Sequence, residues 1–196
     1  MNGAEDPLSG MVAELEEAGA VGELVKKGMK LKRTLVYCAW DGEEPSLLGS
    51  TEWTEDHQAE LKQKAVAYIN SDGNGRGFIG ASGSHTLEPF FNQIMEDITD
   101  PQTGVSIKER RYAKALADAD RAGKLKLMGN KYYKIGAWGA GSDWSGFLQH
   151  LGIASMNLGF GGEDPAGVYP IRTIITPVLA IRVFNTVWHL QKPQDE

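Results

Sequence analysis

The chain has one cysteine, Cys38, in 196 residues. That excludes an internal disulfide and any cysteine-built metal cluster. Its four histidines (His57, His85, His150 and His189) are scattered and form no local metal motif. Positive charge is in deficit: 20 basic residues stand against 26 acidic ones, a net charge of −6. Non-specific nucleic-acid binding needs a basic face, so that class of partner is not expected. No window approaches the ~18 consecutive apolar residues of a spanning helix. Met1 to Gly10 has no basic region followed by an apolar run, so no signal peptide is expected. Hydrophobic residues make up 41% and charged residues 23%, the balance of a globular domain. The length corresponds to about one domain, large enough to bury a core without staples.

Glycine is plentiful. Many of the 24 glycines fall in three clusters, at 73–83, 136–146 and 159–167. Glycine costs backbone entropy, so such clusters read either as mobile loops or as strand-end loops that build a site. Helical spacing of Met11, Val12, Leu15, Val21, Leu24 and Val25 predicts a helix over 9–28. Residues 31–40 include Thr-Leu-Val-Tyr-Cys-Ala-Trp, apolar without alternation, which predicts a strand buried on both faces. A helix with a break near His57 is expected over 47–64, and a second interior strand over 65–70. Leu87, Phe90, Phe91, Ile94 and Met95 share one face of a helix ending before Asp100-Pro101. A polar, partly helical insertion follows over 105–124, then a short helix over 143–151 and a third strand over 152–160. This alternation predicts an α/β fold with a mostly parallel central sheet flanked by helices.

In such sheets, sites form beyond the carboxyl ends of the strands. Asp41, Glu43, Glu44 and Asp72 all sit at predicted strand ends. Successive residues leaving a strand point to opposite sides, so Glu43 and Glu44 can serve two roles. Converging carboxylates suit zinc or magnesium, although zinc ordinarily takes histidine as well.

Four collinear segments carry a family resemblance. Residues 33–53 (Arg-Thr-Leu-Val-Tyr-Cys-Ala-Trp-Asp-Gly-Glu-Glu-Pro-Ser-Leu-Leu-Gly-Ser-Thr-Glu-Trp) resemble the central motif of the glutamate carboxypeptidase II family. That group of zinc co-catalytic peptidases also includes the non-catalytic transferrin receptors. Gly-Ala-Glu-Asp-Pro-Leu-Ser-Gly at 3–10, Ala-Tyr-Ile-Asn-Ser-Asp at 67–72, and Gly-Ala-Gly-Ser-Asp at 139–143 followed by Phe-Leu-Gln-His-Leu-Gly-Ile-Ala-Ser at 147–155 agree in order and spacing. The resemblance implies a zinc-exopeptidase-like fold, truncated, with a partial catalytic domain over 1–169 and a divergent tail over 170–196. It implies a metallopeptidase of amino- or carboxypeptidase type acting on peptides with a two-zinc-activated water. Asp6 would bridge the zincs, Glu44 would bind one and Asp72 the other. Glu43 would be the general base, Ser142 would line the substrate cleft, and Tyr169 would face the developing oxyanion.

The departures from the pattern are specific. One family histidine lies further upstream of the bridging aspartate than Met1. The other follows the tyrosine matching Tyr169, where this chain has Pro170. Carboxylates alone imply weakened zinc binding. Relatives that cleave C-terminal glutamate carry two arginines on the strand after Gly-Ile-Ala-Ser; here those positions are Asn157 and Gly159. Many relatives are exported or membrane-anchored, and they dimerise through a helical domain that has no counterpart here. The apolar stretch 174–190 reads as helix-like and able to cover exposed apolar surface. A non-catalytic interaction module of transferrin-receptor type and an inactive fragment both stay open as alternatives.

Overall fold

The computed structural model describes residues 3–163. Tyr169, His189 and the tail 170–196 lie outside the described residues, so the expectations placed on them are not addressed by the fold. The elements in chain order are α1 (Leu8–Lys26), α2 (Leu48–Asp56), α3 (Gln58–Lys64), β1 (Tyr68–Asn70), β2 (Gly77–Gly83), α4 (Glu88–Asp97), α5 (Ile107–Asp118), α6 (Arg121–Gly129) and β3 (Ser155–Gly162). A 3-10 turn, His85–Leu87, leads into α4, and a π-helical turn, Gly146–His150, precedes β3.

The three strands form one sheet in the order β1-β3-β2. β1 runs parallel to β3, and β2 runs antiparallel to it. The fold is therefore α/β, but the sheet among the described residues is mixed rather than mostly parallel. Two local expectations are corrected with it. The glycine cluster at 73–83 contains a strand, β2, which pairs with β3 from Gly77↔Gly162 to Gly83↔Met156. It lacks the usual strand signature because two positions need glycine. A Cβ on Gly77 would lie 2.1 Å from the Gly161 carbonyl oxygen, and one on Gly83 would lie 2.3 Å from that of Ser155. Both positions have φ near +145°, which side-chain-bearing residues rarely adopt. The second correction concerns residues 31–40, which belong to no ladder among the described residues. Half-buried and exposed residues nearly alternate along them, with Val36 66% exposed, so the run is one-sided rather than interior.

The main core lies between α4 and the sheet. Phe90, Phe91, Ile94 and Met95 of α4 are buried at helical spacing against Ile79 and Met156. Each such side chain contributes about 1.5–3 kcal/mol through burial. The polar insertion is a true helical hairpin. Ser106 and Glu109 form a reciprocal capping box at the start of α5, and Asp120 caps α6. A second, smaller core of Phe147, Leu151 and Ile153 packs beneath Trp40, Trp53 and Tyr68.

Helix α1 is tied to this segment by its acids. The Cys38 N–H donates to Glu14 Oε1 at 2.9 Å, and the Tyr37 hydroxyl donates to Glu17 Oε1 at 3.4 Å. Burial pushes the Glu17 carboxyl from 4.5 up to about 7, aided by the nearby charge of Glu14. Between those pH values the folded chain holds a proton that the unfolded chain has released. The resulting stabilisation is complete below about pH 4.5 and is lost as pH rises through 7. We expect Glu17→Gln to match the parent at pH 5 and to exceed it by about 1–2 kcal/mol at pH 8, screening allowed for. Chemical denaturation at the two pH values measures this, and a pH-independent difference would contradict it.

Candidate functional site

Two elements far apart in sequence meet at the carboxyl end of β1. The first turn of α1 carries Ser9 and Gly10, both buried, just after Asp6. The Gly10 N–H donates to the Asp72 carbonyl at 3.3 Å, and the Asn74 N–H donates to Ser9 Oγ at 2.7 Å. Ser9 Oγ in turn donates to the Glu5 carbonyl. The approach leaves no room for a side chain at position 10, where a Cβ would stand 1.9 Å from the Ser71 carbonyl oxygen. Gly73 lies in van der Waals contact with the same segment: its Cβ position is 3.9 Å from Asp6 Cβ. This contact brings Asp6 beside Asp72.

Glu43 and Glu44 reach the same place on a tight loop. The N–H groups of Ser46 and Leu47 both donate to the Glu43 carbonyl, and the Gly49 N–H donates to that of Asp41. Ser46 and Leu47 have φ of 101° and 58°, an uncommon conformation for residues with side chains. Such positions cost of order 1 kcal/mol each and persist where the surroundings over-determine them. The loop leads into α2, which docks on the 143–150 segment. There Ser50 Oγ donates to Asp143 Oδ1 at 2.6 Å, and Gly146 lies so close to Thr54 that a Cβ would be 2.5 Å from Oγ1.

The carboxylates feel one another. The Asp6 carboxyl lies above its usual range, first through burial and then through the charges of Asp72 and Glu44. Glu43 is raised by burial and then by Asp143, Glu44, Asp72 and Asp6. Burial and Asp72 also raise Asp143, against the opposing hydrogen bond from Ser50. Asp6, Glu43, Glu44 and Asp72 therefore share one electrostatic neighbourhood, with Asp143 as a fifth member.

Asp72 is held by a chain of donors. The Trp40 indole donates to the Tyr68 hydroxyl at 3.1 Å, which donates to Asn70 Oδ1 at 2.8 Å. The Asn70 amide donates to Asp72 Oδ1 at 2.8 Å, and Ser142 Oγ donates to the same oxygen at 3.0 Å. Tyr68 also stacks on Phe147 at 3.9 Å. Ser142 is thus buried behind Asp72 with its hydroxyl engaged. Sequence reasoning quoted Asn70, Asp143 and Ser50 inside its motifs without assigning them roles. The available signal was a polar residue on an otherwise apolar strand, Asn70.

The zinc expectation meets a donor set that does not suit it. Among the described residues, no three His, Cys, Asp or Glu side chains are disposed to hold a metal ion. The described imidazoles are engaged or placed elsewhere. His57 stacks on Trp53 at 4.4 Å with Nδ1 at 2.9 Å from the Trp53 carbonyl oxygen, and His150 Nε2 meets Gln58 Nε2 at 3.0 Å. His85 begins the turn before α4. The described residues are an acidic set without nitrogen donors, and they do not fit a two-zinc centre on their own. Because the site depends on the contact at position 10, we expect Gly10→Ala to cost about 1–3 kcal/mol, as overpacking does. Urea denaturation reads this directly, and an unchanged midpoint would show that the contact is not essential.

Peptidase family M28 matches the chain over residues 1–192. The protein named "Probable glutamate carboxypeptidase LAMP1" of Arabidopsis thaliana is 34% identical over 165 residues, covering 83% of this chain and 22% of that protein. Aminopeptidase NAALADL1 of Mus musculus is 32% identical over 177 residues, covering 87% and 23%. Glutamate carboxypeptidase 2 homolog of Caenorhabditis elegans is 31% identical over 192 residues, covering 94% and 24%. The chain therefore spans roughly a fifth of the length of these relatives. Among solved structures, the Legionella pneumophila LapA aminopeptidase has a similar fold, with a TM-score of 0.50 at 14% identity over 97% of this chain and 46% of that one.

Proposed function

The chain belongs to peptidase family M28, and on that premise we propose that it carries the acidic part of a metallopeptidase centre that hydrolyses peptide bonds. The observation that carries this reading is the convergence of Asp6, Glu43, Glu44 and Asp72 from three separate segments onto one strand end. Mutual repulsion among anions is unfavourable, so a fold that gathers them has a cationic or proton-transfer task for them.

Glu43 is the general base of this proposal. Burial, and after it the charges of Asp143, Glu44, Asp72 and Asp6, raise its proton affinity, the direction a general base needs. It takes a proton from the attacking water as the oxygen adds to the peptide carbonyl. It returns that proton to the departing amine as the C–N bond breaks. The family resemblance implies zinc facing Asp6, Glu44 and Asp72, which among the described residues form no three-ligand grouping. Ser142 and Asn70 fix Asp72 in place, and Tyr169 is kept as the proposed oxyanion donor. The nitrogen ligands of a full two-zinc centre are assigned to no described residue.

Substrate choice is narrowed by β3. A paired-arginine clamp for a glutamate side chain has no counterpart there. Asn157 accepts from the Asn70 amide at 3.3 Å, and a Cβ on Gly159 would lie 2.7 Å from the Gly73 carbonyl oxygen. Position 159 cannot carry an arginine on this backbone, so the proposed activity is not glutamate-specific. A non-catalytic binding module of transferrin-receptor type stands as the second reading.

Two measurements separate the readings. Zinc titration should show weak binding, well below the about two ions per chain of a complete centre, with affinity about tenfold lower again in Asp72→Asn. Peptide hydrolysis in zinc-supplemented buffer should fall by about 10²–10⁴ in Glu43→Gln. Hydrolysis equal to the buffer blank in the parent protein would favour the binding module.

A further inference from the structure

Charge is unevenly distributed along the chain. Residues 106–134, the α5–α6 hairpin and its exit, hold nine basic side chains against three acidic ones. The rest of the chain holds 11 basic against 23 acidic. On α5 the cations are largely engaged: Lys108 pairs with Glu96, Arg110 with Asp100 and Glu163, and Lys114 with Asp118. From Arg121 onward the pattern changes. Residues 121–134 contain five cations and no acid. Among the described residues, no carboxylate pairs with Arg121, Lys124, Lys126 or Lys134. The same stretch displays apolar side chains. Helix α6 buries none of its residues, and Leu125 and Met128 are 66% and 71% exposed. It is held to α5 through half-buried Leu127, whose carbonyl accepts from the Tyr112 hydroxyl at 3.0 Å. Arg121, Lys124, Leu125 and Met128 are neighbours at three- and four-residue spacing and so share one face. Tyr132, 39% exposed, follows just beyond the helix.

We propose that this face of α6, with Tyr132 beside it, docks the protein on the surface of an anionic lipid bilayer. Charge complementarity selects the sign of the partner. Five cations with no acid among them attract a negative surface, and the acidic remainder of the chain confines that attraction to the hairpin. Area selects its kind. A nine-residue helix is roughly 14 Å long and 10–12 Å across. That footprint falls far short of the about 800 Å² per partner that a stable protein–protein contact buries. A bilayer surface asks for no such area, because each Lys or Arg near it contributes separately and a few apolar side chains enter the boundary between headgroups and acyl chains. Leu125 and Met128 are suited to that boundary, and tyrosine is at home there. Aliphatic side chains offer nucleic-acid bases no aromatic platform to stack on. No described helix is long and apolar enough to cross a membrane, so the contact is with the surface. The proposal does not rest on the peptidase reading.

The test sediments the full chain with vesicles of phosphatidylcholine, with and without phosphatidylserine. We expect the chain to pellet with the vesicles containing phosphatidylserine and not with phosphatidylcholine alone, and the binding to weaken as salt is added. Replacing two cations, Lys124→Gln with Lys126→Gln, should weaken it about thirtyfold. Leu125→Ser with Met128→Ser should weaken it at least about tenfold while leaving its salt dependence unchanged. All four side chains are exposed, so the fold should tolerate these changes. A second readout reports position. In Cys38→Ser with Met128→Cys, an environment-sensitive dye on the new thiol should shift to the blue on the anionic vesicles only. Failure to pellet with them, or binding indifferent to the lysine pair, would overturn the proposal. Binding that survives loss of both Leu125 and Met128 would also overturn it, in favour of a soluble polyanion such as an acidic peptide or an RNA.

Discussion

Everything at the candidate site depends on a backbone contact between the first turn of α1 and the loop after β1. Gly10 meets the Ser71 and Asp72 carbonyls at a distance no side chain permits. The Asn74 N–H closes the contact onto Ser9. Carboxylates placed side by side repel, and in a water-depleted setting the repulsion grows. The acids do not assemble by attraction; they are carried into place by hydrogen bonds and glycine packing that outweigh it. The proton affinities of Asp6 and Glu43 are raised by burial first and by that repulsion second.

The support behind Asp72 follows the same logic. A half-buried carboxylate oxygen is steadied by donors, and Oδ1 receives two, from Asn70 and Ser142. Asn70 is oriented by Tyr68, which is fixed by Trp40 and by stacking on Phe147. The small aromatic core thus does more than exclude water: it sets the direction of the amide that holds the acid. On the other side, Ser50 and Gly146 lock α2 to the segment that carries Asp143. Since the 41–47 loop feeds directly into α2, this docking also settles where Glu43 and Glu44 can reach.

Much of this was legible in the sequence. Helices α1 and α4 followed from apolar spacing, and the helical stretch expected over 47–64 with a break near His57 appears as α2 and α3. The acids, and the family to which they point, followed from motif order. β2 was not legible, because its glycines replace the side chains that mark a strand. The run before Asp41 was misread for the opposite reason: its composition is strand-like, but it has no ladder partner among the described residues, and its Cys38 N–H is satisfied by Glu14. Asn70, Asp143 and Ser50 were invisible as site residues because a hydrogen bond between positions 50 and 143 leaves no trace in local pattern.

The sequence by itself determined the acid inventory, the helical periodicities and the family of the chain, since these are properties of residue type and order. Tertiary structure alone decided the direction of β2, the burial of Ser142 behind Asp72 and the absence of a three-ligand metal grouping among the described residues. The reason is one of range. Propensity and spacing act over a few residues, whereas the site is built from contacts that span most of the chain and depend on how closely two backbones can approach.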